Sequence, residues 1–250
     1  MTAKAKKYFR YLIPVSLFGT NRTKEILNVN PTININRKEP EKVFITVYDY
    51  DETSLNEYNL VNIEDSFSFK ENKHISWINI DGLRRHDVDL ISEKFAIHPL
   101  TAEDILSVGQ RPKMDEVEGL LYCLLNMLYY NETTETVEQE QVSIVLGKGF
   151  VITFQEDPKK DVFNPIREKL KMPNSKLRLR GADYLCYSML DLIVDNYFFV
   201  MEKLGERIEQ AEEEVIRNSN TRSLAKINQL RKELIVLKRN IAPVRDLIGG

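Results

Sequence analysis

Two pairs of carboxylates stand where side-chain oxygens could gather around a cation. The first is Glu103-Asp104, inside the stretch HPLTAEDIL at 98–106. The second is Asp191 and Asp195 in SMLDLIVDNYF, four residues apart and so on one face of a helix. Oxygen-only donors favour a hard ion such as Mg2+ over zinc. Neither pair is a complete site. Neighbouring helical residues point about 100° apart, so Glu103 and Asp104 do not chelate one ion comfortably and need carboxylates from elsewhere. A bland alternative is a helix start. Thr101 as N-cap and Asp104 at the third helical position make a T-x-x-D capping box, and both acids suit the helix dipole. Asp191 and Asp195 sit in so apolar a run that it should be packed. There a carboxylate needs a cation or a bond to Arg or Tyr, unless the two form an exposed stripe.

Catalytic chemistry leaves no signature. The chain has no G-x-S-x-G, no Walker loop and no G-x-G-x-x-G, and GKG at 147–149 reads as a hairpin turn. Its three histidines, His74, His86 and His98, have no sequence partner at metal or triad spacing. His98, just ahead of Pro99, reads as a cap on the helix start. Cys123 and Cys186 are far apart and lack C-x-x-C spacing, which fits reduced core residues of a cytosolic protein. A net charge of −3 gives no reason to expect nucleic acid, and the basic run KAKKYFR near the start reads as a solvated tail. No signal-peptide core opens the chain. Its longest near-continuous apolar stretch, GLLYCLLNMLYY, is about half the ~20 residues that span a bilayer, so the chain is expected to be soluble.

The elements that must position these residues follow from pattern. YLIPVSLF, VFITVYDYDE and ISWINIDGL read as strands, the second ending in an acidic turn and the third at Asp81-Gly82. HDVDLISEKF reads as an amphipathic helix with Asp87 and Glu93 on its polar side. QVSIVL and FVITF flank the GKG turn as a hairpin, and residues 119–130 read as a buried strand before it. Antiparallel strands with helices on either side predict an α/β sandwich of α+β character over 1–178. Its mixed, largely antiparallel sheet should lie between two layers of helices.

From 179 to 250 the character changes. Residues 182–217 run without proline, and at about 1.5 Å per residue they make a helix of about 50 Å. Its first half is apolar nearly all round. The second is acidic, with a narrow seam of Leu204, Ile208, Ala211 and Val215. NSNT breaks it, and Thr221 is a plausible N-cap for a basic helix over about 222–248. There Ile227, Leu230, Leu234, Leu237, Ile241, Val244 and Ile248 repeat as a coiled-coil seam, and Pro243 predicts a kink. A short turn and opposite charge predict an antiparallel hairpin. The seam runs almost to Gly249-Gly250, which raises the expectation of a longer protein.

The blocks WINIDGL, HPLTAEDIL, QRPK, EQVSIVL, FQE, DVFNPIREKL and ADYLCYSMLDLIVDNYF stand in an order that resembles the CorA family of magnesium and cobalt transporters. The resemblance covers most of 75–245, and HPL, EDIL and QRPK are its most specific part. It implies a homopentameric channel with a large N-terminal domain on the cytoplasmic face of the cell membrane. That domain is followed by a stalk and two membrane helices, both absent here, as is the family's Gly-Met-Asn motif. Mg2+ or Co2+ is then both transported ion and regulatory ligand, bound between adjacent subunits. By position Asp104 matches the principal regulatory site, whose partner is an aspartate on the neighbouring stalk. Glu103 and Asp191 match the adjoining site, with Asp191 expected from within the chain, and Asp195 lies one turn further on. A zinc-transporting relative and a soluble scaffold that recruits partners through its helical hairpin are the rival expectations.

Overall fold

The computed structural model describes residues 39–107, 109–217 and 221–249. Its centre is a seven-stranded sheet of β1 (Phe44–Tyr50), β2 (Leu55–Leu60), β3 (Ile75–Asp81), β4 (Lys113–Val117), β5 (Leu120–Asn131), β6 (Thr136–Gly147) and β7 (Phe150–Gln155), ordered β2-β1-β3-β7-β6-β5-β4. β3 and β7 pair in parallel, and every other neighbouring pair is antiparallel. The mixed, largely antiparallel sheet expected from the alternating runs is therefore present, as is the strand at 119–130. The hairpin turns at Lys148-Gly149, where Gly149 takes a positive φ of 84°.

Alternation along the strands divides the interior into two cores. Ile78, Ile80, Val145 and Ile152 face one side, where they meet α1 (Arg85–Phe95) and α2 (Pro99–Leu106). Trp77, Cys123, Ile144 and Val151 face the other, where they meet α3 (Asn164–Lys171), α4 (Lys176–Leu179) and α5 (Ala182–Arg217). Both cysteines are free and buried in this second core. Two strands escaped the sequence pattern. β2 and β4 are the outer strands, and LNEYNL and KMDEV carry no buried alternating face to betray them.

Three local expectations need correction. Asp87 is not on the polar side of α1: it is 7% exposed, in the first turn, with Arg84 Nε 3.1 Å from its Oδ2. A carboxylate there meets the positive end of the helix dipole, which offsets part of its burial. Thr101 is not the cap of α2. The helix opens at Pro99, three residues earlier than a Thr101 cap implies, His98 Nδ1 accepts the Leu100 N–H at 3.2 Å, and Thr101 is a buried interior residue. Proline supplies the φ that a first helical residue needs, so it sets the start. The apolar first half of α5 is not packed all round. Met189, Ile193 and Tyr197 are buried, whereas Tyr187 and Phe198 are about 60% exposed (59% and 62%).

α6 (Thr221–Gly249) packs along α5, with Leu230, Leu237 and Val244 buried at seven-residue intervals opposite Leu204 and Ala211. Leu234 and Ile227 of the expected seam remain about 40% exposed (40% and 43%). Complementary charge is realised at the far end, where Lys226 Nζ donates to Glu214 at 2.5 Å. Deeper in, the signs reverse: Arg207 of the acidic helix donates to Glu233 of the basic one at 2.5 Å, and both are nearly buried. Asn240 anchors α6 to the sheet, accepting from Asn126 Nδ2 at 2.8 Å and donating to Gln139 Oε1 at 3.2 Å. Pro243 lies inside α6, which continues through it. The strand expected at YLIPVSLF, the KAKKYFR tail and the turn at 218–220 lie outside the described residues.

Candidate functional site

α2 is fixed by its inward face. Ala102 and Ile105 enter the core, and Gln141 of β6 donates its amide to the carbonyl oxygens of Asp104 (3.2 Å) and Ile105 (3.4 Å). Glu103 and Asp104 are left with different partners. Lys113 Nζ donates to Asp104 Oδ2 at 2.5 Å, with 22% of the Asp104 side chain and 34% of the Lys113 side chain exposed. Arg85 Nη1 lies 3.6 Å from Glu103 Oε1, and both of these side chains are more than half exposed. The acids thus point apart, as their adjacency on a helix requires. The most specific sequence block also gains a physical link: the lysine of QRPK, first residue of β4, is the counter-charge of the aspartate of EDIL.

Asp191 and Asp195 lie on the outer side of α5, both exposed, between the exposed rings of Tyr187 and Phe198. Of the arrangements open to them, the exposed stripe is the one adopted. Behind them Tyr197 donates its hydroxyl to the Asn126 carbonyl at 2.6 Å, and Met189 and Ile193 fill the core. The two candidate pairs are on helices that cover opposite faces of the sheet. Glu103 and Asp191 are therefore not brought together within the chain. Among the described residues, no group of three or more His, Cys, Asp or Glu side chains is placed to hold a metal ion.

A polar cluster that the sequence did not single out lies at the carboxyl ends of the parallel strands β3 and β7. Trp77 Nε1 donates to Thr153 Oγ1 (2.9 Å), Thr153 to Asn79 Oδ1 (2.7 Å), and Asn79 Nδ2 to Asp81 Oδ2 (2.8 Å). Asp81 is 7% exposed, and burial pushes its carboxyl up to about 7, helped by nearby Asp161 and opposed by Arg167. Arg167 pairs with Asp161 and stacks over Trp77, 5.1 Å from the ring centre. On β6, Glu140 accepts the backbone N–H groups of Glu156 (2.8 Å) and Asp157 (2.7 Å). Asp81-Gly82 reads in sequence only as a strand end, because nothing local signals that α3 will cover it. His74 also gains partners the sequence hid. Its Nδ1 lies 2.9 Å from Asp49 Oδ2 and its Nε2 3.6 Å from Asp51 Oδ2, and the bond to Asp49 raises its pKa.

Comparison with known proteins brings these features into one frame. A family model described as CorA-like Mg2+ transporter protein matches residues 72–249. The cobalt/magnesium transport protein CorA of Thermotoga maritima is 36% identical over 214 residues, covering 85% of this chain and 61% of that protein. A putative metal ion transporter of Bacillus subtilis, YfjQ, is 30% identical over 172 residues, covering 69% of this chain and 52% of that one. The chain thus spans roughly half to three fifths of the length of these two relatives. In fold it matches the soluble domain of CorA from Methanocaldococcus jannaschii, with a TM-score of 0.63 at 18% identity, over 84% of this chain and 79% of that one. It also matches the ZntB cytoplasmic domain from Vibrio parahaemolyticus, with a TM-score of 0.59 at 16% identity, over 82% of this chain and 79% of that one. Among the described residues no helix is long and apolar enough to cross a membrane.

Proposed function

The chain belongs to the CorA-like Mg2+ transporter family, and from that premise we propose that it is the divalent-cation-sensing cytoplasmic portion of a homopentameric Mg2+/Co2+ channel. The observation that carries this reading is the separation of the candidate ligands. Glu103 and Asp104 sit on a helix over one face of the sheet, Asp191 and Asp195 on a helix over the other, and among the described residues neither pair belongs to a group of three or more His, Cys, Asp or Glu placed to hold an ion. Each is half a site. A second copy that presents its α5 face to the α2 face of the first adds further oxygen donors, to which the family's stalk aspartate would contribute at Asp104, and oxygen donors alone suit a hard ion such as Mg2+ better than zinc.

Sensing follows from where the ion sits. An ion shared between copies binds only when the copies are apposed, so it stabilises that arrangement by RT ln(1 + [L]/Kd), about 2.7 kcal/mol per site at a hundredfold excess over Kd. With Mg2+ abundant, the copies are held together and the channel closed. As Mg2+ falls, the sites empty, the acidic surfaces repel, and the long α5 and α6 helices carry the movement towards the pore. The test is thermal unfolding of the chain with and without millimolar Mg2+, in wild type and in Asp104→Asn/Asp191→Asn. Wild type gains several degrees from Mg2+ and the double variant gains none. Equal gains in both overturn the reading.

A further inference from the structure

We propose that Lys113 is a tethered counter-cation that occupies Asp104 when no divalent ion is bound and must be displaced for the ion to enter. In this role Lys113 sets the concentration at which the site fills. The inference rests on Asp104 being an ion ligand, as argued above.

The contact differs from an ordinary surface pair in how its backbones are held. Lys113 follows Pro112 and is the first residue of β4, in register with Leu124 of β5. Asp104 is held from the other side by Gln141, whose amide reaches the carbonyl oxygens of 104 and 105. Two anchored chains thus deliver Nζ to within 2.5 Å of Oδ2 in a partly shielded position. Glu103 and Arg85 make the contrast: at 3.6 Å and largely exposed, that pair is loosened by solvent and salt.

Competition is the necessary outcome of this geometry. An ammonium and a divalent ion seek the same carboxylate oxygen, and two positive charges that close repel. Mg2+ requires its oxygens in near-octahedral order, which an ammonium donating to one of them disrupts. Lysine suits the role because its charge rides on a flexible four-carbon stem that swings aside without moving the strand, whereas a guanidinium grips a carboxylate in a fork. The metal-free carboxylate is thereby kept neutralised, and the ion enters by exchange rather than into an open site.

The experiment titrates Mg2+ against the thermal unfolding of wild type, Lys113→Gln, Lys113→Arg and Asp104→Asn, with circular dichroism at low temperature to confirm folding. Lys113→Gln is expected to lower the half-saturating Mg2+ concentration by about fivefold, the upper end of what a partly exposed ion pair is worth. Lys113→Arg keeps the charge and is expected to keep the midpoint at or above that of wild type. Asp104→Asn removes the response. If Asp104→Asn removes it while Lys113→Gln leaves the midpoint unchanged or higher, the inference about Lys113 is wrong and the ion site stands. If Asp104→Asn or wild type shows that Asp104 has no part in any response, the site and the inference both fall.

Discussion

Glu103 and Asp191 lie on opposite sides of the seven-stranded sheet, one on α2 over the first core and the other on α5 over the second. An ion that uses both must lie between copies of the chain. The Mg2+ effect on thermal unfolding is therefore expected to grow with protein concentration, because apposition and ion binding are linked. Measured over a hundredfold range of protein concentration, a Mg2+ effect of constant size contradicts a shared site.

Asp81 predicts a pH dependence of known sign. Its folded carboxyl is raised to about 7 by burial, whereas in the unfolded chain it titrates near the ordinary aspartate value of about 3.9. Between these values the folded chain holds the proton and the unfolded chain has lost it. The contribution of Asp81 is intact below about pH 4 and is lost as pH rises towards 7, then levels off. Asp81→Asn removes this slope and gains on the order of 2–4 kcal/mol at pH 8. Urea unfolding of both proteins from pH 4 to 8 checks it, and parallel curves contradict it.

The buried Arg207–Glu233 pair predicts that the two partners are not separable. Glu233→Ala leaves a nearly buried guanidinium without its counter-charge and costs about 3–5 kcal/mol. Replacing both, as Arg207→Met/Glu233→Leu, is expected to restore stability to within about 1 kcal/mol of wild type. Denaturant unfolding of wild type and the two variants decides this. A cheap single substitution contradicts the burial argument.

Asn240 predicts how firmly the basic helix is seated. Asn240→Leu leaves the Asn126 amide, its buried donor, without an acceptor and costs about 1–3 kcal/mol. Amide hydrogen exchange in α6 is expected to rise while that in β3 stays slow. Unchanged exchange in α6 means that the apolar seam alone holds the helix.

How far the sequence spoke depends on where each signal lives. β3, β5 and the β6–β7 hairpin were legible because their alternation is dictated by the two cores they separate. The hairpin of α5 and α6 was legible from its period and charge. β2 and β4 were not, because an outer strand with polar residues has no buried face to mark it. The start of α2 was misplaced by three residues, since a T-x-x-D box and a His-Pro start coexist in one stretch and the proline decides. Glu103 and Asp104 were visible by type, yet their counter-charges Arg85 and Lys113 come from other elements, which only the fold brings near. The Asp81 cluster was invisible for the same reason: Asp81, Glu140, Thr153, Asp161 and Arg167 come from three strands, a loop and a helix.

Asp104 of one copy and acidic residues of another are expected to share a divalent ion. The most direct measurement is anomalous diffraction from crystals of the chain grown with Co2+, recorded at the cobalt absorption edge. A shared site gives a cobalt peak between two copies, within coordinating distance of the Asp104 carboxylate, with Lys113 Nζ moved off Oδ2. Cobalt bound only to ligands of a single copy, or none at Asp104 with the lysine still in place, contradicts it.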